Sequence, residues 1–178
     1  MRVERAYQNS IEKKMLRKAN LDGVALVVGS RVYGNKLDRR TLYPDAVGVD
    51  MIGGPGVDYY ADLTWEVPCI ERATHIDCVS VLEHCQEPWN LVSTLGIYRR
   101  DTTIFFTVPF VWREHAYPND YFRFTKEGIV LMCKQNGIEI EDICYVSAGK
   151  KVKKPPVITH DGWPYMAKTE VYAFGRVV

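Results

Sequence analysis

The chain is 178 residues long, 47% apolar and 25% charged, an ordinary balance for one globular domain long enough to bury a full core. Its formal net charge of +1 gives no global field that would recruit nucleic acid or an acidic membrane surface. Its apolar stretches are too short to span a bilayer, and Met1-Arg2-Val3-Glu4-Arg5 leads into no apolar signal segment.

In chain order, residues 3–19 are predicted as a helix with Ile11, Met15 and Leu16 on one stripe. Asn20-Leu21-Asp22-Gly23 stops it, and Ala25-Leu26-Val27-Val28 reads as the first strand. The polar, basic segment 30–44 holds at most one short helix. Ala46-Val47-Gly48-Val49 and a run from Val57 to Ala61 read as the next two strands. The six residues between Asp50 and Val57 are too few for the crossover helix that parallel neighbours usually need. A strand from Ile76 to Leu82 follows, then a helix entered through Pro88. A strand over 103–108 stops at Pro109. Thr125 is the expected N-cap of a helix that ends at Asn136-Gly137. Strands over 138–145 and 170–174 flank a basic, proline-bearing loop. The alternation argues for a mostly parallel sheet with helices on both faces.

Cys69, Cys78, Cys85, Cys133 and Cys144 form no C-x-x-C pair. The odd count and absent metal spacing lead us to expect a reduced, cytoplasmic protein with no metal site.

The apolar runs end on a glycine or a carboxylate: Gly29, Asp50, Asp62 and Glu83-His84. Ligands of open α/β sheets bind outside the carboxyl ends of the strands. An aspartate at the end of the second strand can accept both hydroxyls of a ribose, so an adenosine-containing cofactor is expected.

Val27-Val28-Gly29-Ser30, Val47-Gly48-Val49-Asp50, Tyr60-Ala61-Asp62-Leu63 and Ser80-Val81-Leu82-Glu83-His84 together resemble a class I S-adenosylmethionine-dependent methyltransferase of the compact small-molecule branch. His115-Ala116-Tyr117-Pro118-Asn119-Asp120-Tyr121-Phe122-Arg123-Phe124-Thr125 resembles a segment after strand five in some members. The resemblance covers about residues 21–137. It implies a Rossmann-like three-layer α/β/α sandwich, whose mostly parallel seven-stranded sheet has its last strand antiparallel. It also implies S-adenosylmethionine as cofactor and a small-molecule or saccharide-like acceptor. The expected organisation is a single domain over 1–178: an N-terminal helix over 1–20, a cofactor-binding core over 21–145, and a basic loop with the final strand over 146–178. Cofactor contacts are implied at Gly29, Ser30, Gly34, Asp50, Met51, Asp62, Leu63, Leu82 and Glu83. The first loop departs from the family pattern, because Ser30-Arg31-Val32-Tyr33 separates Gly29 from Gly34 and Val28 stands where an acid often closes the strand.

Each residue has a plainer alternative. Asp50 serves a ribose or forms a turn, and Asp62 meets the adenine amine or caps the next helix. Arg31 meets a cofactor carboxylate or is solvated. Glu83-His84 lies on the cofactor side or is a surface pair. His115, with His84 second, is the candidate base for an alcohol or phenol acceptor, or bonds within its own loop. Asp120 and Arg123 contact substrate or form an ion pair. Tyr117 and Tyr121 wall the acceptor or pack the loop. Three other functions stay open. One is a non-catalytic cofactor-binding protein of the same fold. Another is a nucleic-acid methyltransferase, using the four lysines of 150–154 with Trp163 and Tyr165. The third is a nicotinamide-dependent oxidoreductase, against which stands the missing Gly-x-Gly-x-x-Gly.

Overall fold

The chain alternates between strands and short helices in the order α1 (Ser10–Leu16), β1 (Val24–Val28), β2 (Ala46–Asp50), β3 (Tyr59–Tyr60), β4 (Ala73–Val79), α2 (Pro88–Gly96), β5 (Thr103–Val111), α3 (Lys126–Gln135), β6 (Ile138–Ser147), β7 (Lys150–Val152), β8 (Val157–His160), β9 (Trp163–Met166) and β10 (Thr169–Val177). Two 3₁₀ turns, Arg39–Leu42 and Leu82–His84, interrupt the connections. The structure is a computed structural model that describes residues 9–66, 72–115, 119–154, 157–160, 163–166 and 168–178, with backbone alone for 157–160 and 163–166.

The main sheet has eight strands in the order β3-β2-β1-β4-β5-β10-β6-β7. Strands β3, β2, β1, β4 and β5 pair in parallel, and β10 runs antiparallel between β5 and β6. The eighth strand corrects the expected count of seven. Lys150–Val152, predicted as loop, turns back through Ala148 and Gly149, both at positive φ, and pairs with β6. β8 and β9 form a separate hairpin within the predicted basic loop.

Period-two side-chain alternation sends each strand's residues to opposite faces. Leu26, Ile76, Ile104 and Phe106 join Leu91, Val92 and Leu95 of α2 and Ile129 and Cys133 of α3 in the larger core. Phe105, Cys144, Tyr172 and Phe174 face the other way, against Met15 of α1. Fully burying one such side chain contributes roughly 1.5–3 kcal/mol. Helices thus cover both faces, although α1 is short. It begins at Asn9, whose side chain accepts from the N–H groups of Ile11 and Glu12.

No crossover helix joins β2 to β3. Asp58 N–H donates to Gly48 O at 2.8 Å, and Asp58 Oδ2 accepts from Gly48 N–H at 2.7 Å, folding the connection tightly against β2. A Cβ on Gly48 would lie 2.1 Å from Gly56 O. Only glycine lets these two backbones approach so closely. Strand β5 continues past Pro109, contrary to the predicted stop. Its pairing with β4 ends at Thr107, so beyond that point the missing proline donor breaks no ladder on that side.

Candidate active site

The carboxyl ends of β1, β2 and β4 converge on one crevice. Gly29 turns the chain at φ +66, and its N–H and that of Ser30 both donate to Val49 O, at 2.9 and 3.2 Å. A Cβ on Gly29 would meet Val81 Cγ2 at 2.6 Å. The loop therefore lies flat across β2 and against the segment after β4. At the end of β2, Asp50 Oδ2 accepts from Arg31 N–H at 3.0 Å and Oδ1 from Ile52 N–H at 2.9 Å. Two backbone donors fix the carboxylate, and each oxygen retains lone-pair capacity for a ligand.

Asp50 borders a cavity of about 390 Å³ that is also lined by Arg31, Tyr33, Lys36, Met51, Ser80, Val81, His84 and Cys85. A narrower recess shares Gly29, Asp50, Met51, Val81 and Cys85 with it and extends to Ala61, Asp62, Leu63, Thr64 and Leu91. Arg31 Nε is buried with no hydrogen-bond partner among the described residues. Lys36 Nζ donates to Gly29 O at 2.8 Å. Burial pulls the pKa of that ammonium below its usual value, with Asp50 opposing. Asp62 Oδ1 accepts from Thr64 N–H at 3.0 Å and from Thr64 Oγ1 at 2.6 Å, so this aspartate caps the 62–65 turn while lining the recess.

On the other side of the cavity, Glu83 and His84 occupy the 3₁₀ turn after β4. The His84 ring bonds through Nδ1 to Asn119 O, and its pKa is lowered by burial. Its ring centroid lies 5.0 Å from that of His115, edge to face. His115 Nδ1 stands 3.1 Å from Asp120 Oδ2 and 3.3 Å from Arg113 O, and its backbone N–H donates to the same carboxylate at 2.7 Å. Arg123 grips Asp120 with two nitrogens, at 2.5 and 2.7 Å, which is the ion-pair alternative for these residues. The guanidinium holds the Asp120 carboxyl well below the usual carboxylate range. Tyr121 N–H donates to Glu83 O at 2.8 Å and its hydroxyl accepts from Gln86 Nε2, which straps the 119–123 segment onto the turn. Glu83 is only 1% exposed, and Oε2 finds no hydrogen-bond partner among the described residues. Burial foremost, with Asp120 adding to it, pushes its carboxyl up to about 8.

Gly29, Asp50, Met51, Asp62, Leu63 and His84 therefore line one continuous crevice. Leu82 turns into the core at 1% exposure, and Val81 lines the cavity in its place. Ser30 is buried behind the loop, where its Oγ would stand 2.6 Å from a Cβ on Gly48. Gly34, at φ +56, turns the loop with open space around it. Tyr117 lies outside the described residues, as does Cys69; Cys78, Cys85, Cys133 and Cys144 are free thiols. Sequence reasoning missed Tyr33, Lys36, Ser80, Val81 and Cys85. Ser80 sits at φ +53, a conformation that no sequence signal announces for serine. Burial pushes the Cys85 thiol up to about 12, so it lines the cavity as a small neutral group.

A parallel sheet in this strand order, with one antiparallel strand inserted beside the last parallel one, is the fold of class I S-adenosylmethionine-dependent methyltransferases. The chain superposes on a proposed methyltransferase of Bacillus halodurans with a TM-score of 0.65 and 13% identity, over 92% of this chain and 97% of that one. It matches the Burkholderia thailandensis 1,6-didemethyltoxoflavin-N1-methyltransferase, solved with its substrate and S-adenosylhomocysteine, at a TM-score of 0.63 and 10% identity, over 95% and 76% of the two chains. The [4+2]-cyclase SpnF has the same fold, with a TM-score of 0.63 and 11% identity over 93% and 79%. No protein-family model matches the chain, and no curated protein matches it in sequence. Among the described residues no helix is long and apolar enough to cross a membrane.

Proposed function

We propose that the protein is an S-adenosylmethionine-dependent methyltransferase acting on a small-molecule or saccharide-like acceptor. The observation that carries this reading is the Asp50 carboxylate, held by two backbone N–H groups at the end of β2 and facing the cavity. The residues fit the cofactor. About 390 Å³ lies within the range of small-ligand pockets. Asp50 suits the ribose hydroxyls, the recess beside Asp62 and Leu63 suits the adenine, and the orphaned Arg31 Nε suits the carboxylate of the methionine end. The bound cofactor supplies a methyl group on a sulfonium, with a neutral thioether as leaving group. What remains for the protein is to align the acceptor, exclude water and deal with the acceptor's proton. Alignment falls to the strap around Tyr121 and to the loop that Asp120 and Arg123 organise. The proton of a hydroxyl acceptor is handled at the His84–His115 pair, whose Nδ1 atoms face acceptor oxygens and whose Nε2 atoms are thereby the lone-pair nitrogens.

The nucleic-acid alternative loses its main support. The lysines of 150–152 lie on β7, the sheet edge opposite β3, with four strands between β7 and β1. Calorimetric titration with S-adenosylhomocysteine, alongside Asp50→Ala, tests the reading. We expect micromolar binding that the variant weakens at least tenfold, about 1.4 kcal/mol or more. No binding at millimolar ligand would overturn it.

A further inference from the structure

We propose that Glu83, His84 and His115 form a binding site for a divalent transition-metal cation beside the cavity that His84 lines, with open coordination positions that take an oxygen-bearing acceptor. One ligand atom from each residue lies within 4.8 Å of the other two, and Glu83 Oε1 is 3.8 Å from His84 Nε2. Bonds of about 2.0–2.2 Å in a tetrahedral site set ligand atoms roughly 3.4 Å apart, so side-chain rotations suffice to close the set.

Two independent features point to a ligand. Both imidazoles are oriented through Nδ1 by groups that only accept: Asn119 O for His84, and the Asp120 carboxylate with Arg113 O for His115. This leaves each Nε2 with its lone pair, and it is the outer arrangement that metal-bound histidines show. The second is the Glu83 carboxylate, almost wholly buried with Oε2 unpartnered among the described residues. A buried carboxylate oxygen without a donor is costly, and Arg123 is already committed to Asp120. A cation supplies the missing partner.

The donor set of two imidazoles and one carboxylate suits Zn²⁺, Fe²⁺, Co²⁺ or Mn²⁺ better than Mg²⁺ or Ca²⁺, which favour oxygen shells. No cysteine takes part, so cysteine spacing in the sequence carried no sign of it. The site deepens the methyltransferase reading and, for its chemical role, rests on it. A cation bound beside the cavity would hold an acceptor hydroxyl and lower its pKa. The hydroxyl proton then passes to solvent water, the oxygen lone pair forms the new bond to the methyl carbon, and the carbon–sulfur bond breaks with its electrons going to sulfur. With the cation bound the two histidines act through it, and the direct proton-handling role proposed for them belongs to the cation-free site.

The test is titration of chelator-stripped protein with Co²⁺, followed by calorimetry and by the visible absorption of bound Co²⁺. We expect one equivalent to bind at micromolar concentration or tighter, and Glu83→Gln, His84→Ala and His115→Ala each to weaken it at least tenfold. Each variant is also titrated with S-adenosylhomocysteine to report that it is folded. Should a variant fail to fold, X-ray absorption of the Zn²⁺-loaded native protein reads the ligands directly, with two imidazoles expected. No binding of Co²⁺, Zn²⁺ or Mn²⁺ at millimolar concentration would overturn the site, as would binding that survives all three substitutions or a sulfur-dominated absorption spectrum. Cation binding without S-adenosylhomocysteine binding would keep the site and remove the methyltransferase reading. The reverse result would keep that reading and remove the site.

Discussion

His75 sits in the middle of β4 with no exposed surface, its ring 5.2 Å from that of Tyr43. Beside it, the equally buried Asp77 accepts from Arg39 Nε and Nη2 and from the Tyr43 hydroxyl, while Arg39 also reaches Glu12 of α1 at 2.7 Å. These residues tie the Arg39–Leu42 turn and α1 to a sheet face that no long helix among the described residues covers. Burial lowers the His75 pKa to about 4, with Asp77 opposing. The imidazole is therefore neutral in the fold, whereas the unfolded chain takes up a proton below its ordinary pKa of about 6.5. The stability this group contributes is complete above that value and is lost as pH falls towards 4, by up to about 1.4 kcal/mol per pH unit. Glu83 has the opposite sign: its raised pKa makes the metal-free fold gain as pH falls from about 8. Urea unfolding of the native protein and of His75→Phe between pH 7 and 4.5 separates the two, because Glu83 is common to both. We expect the difference in stability between variant and native protein to shift in the variant's favour as pH falls. A constant difference would remove His75 from the account.

At the scale of elements, the connection between β2 and β3 positions Asp50 without a crossover helix. Gly48 is its tightest point, since an added Cβ meets first the backbone oxygen of Gly56, which cannot swing away, and then the buried Ser30 side chain. Overpacking typically costs about 1–3 kcal/mol, and here the strand or the connection must move. Gly48→Ala is expected to lose at least about 2 kcal/mol of stability and to weaken S-adenosylhomocysteine binding through Asp50, two residues on. Native-like urea unfolding together with native-like binding would contradict this. Helix α3 is the contrasting case. Thr125 accepts from Gly128 N–H at 3.0 Å, and Gly137 takes φ +70 after the helix. Both signals are local, so both could be read from the residues alone. Thr125→Ala should cost about 1 kcal/mol in the same unfolding measurement, with ligand binding unchanged.

For the molecule as a whole, the crevice is assembled from the ends of β1 and β2 and the segments after β3 and β4, so a ligand seated there bridges parts far apart in sequence. S-adenosylhomocysteine at one hundred times its dissociation constant should stabilise the fold by about 2.7 kcal/mol. For a domain of this size that raises the melting temperature by roughly 5–10 °C. Scanning fluorimetry checks it, and an unchanged melting temperature in the presence of saturating ligand would count against a folded-state cofactor site.

Periodicity and punctuation were enough to establish the alternating strands and helices, the strand ends at Gly29 and Asp50, and the capped α3, because each depends on residues adjacent in the chain; the run from Val57 to Ala61 pairs only at Tyr59–Tyr60, leaving Asp62 in a turn. Those same local signals misjudged β5, because Pro109 stops a strand only where a neighbour needs its donor, and β4 has already ended there. They also missed β7, whose lysines read as loop until β6 offers an edge to pair with. The antiparallel last strand was implied by the family resemblance, and β10 takes that place between β5 and β6; tertiary structure alone decided the turning of Leu82 into the core with Val81 on the cavity, and the meeting of Glu83, His84 and His115. The physical reason is distance along the chain: His84 and His115 are brought together by bonds from the 119–123 segment to the Glu83 turn, and no local pattern encodes that closure.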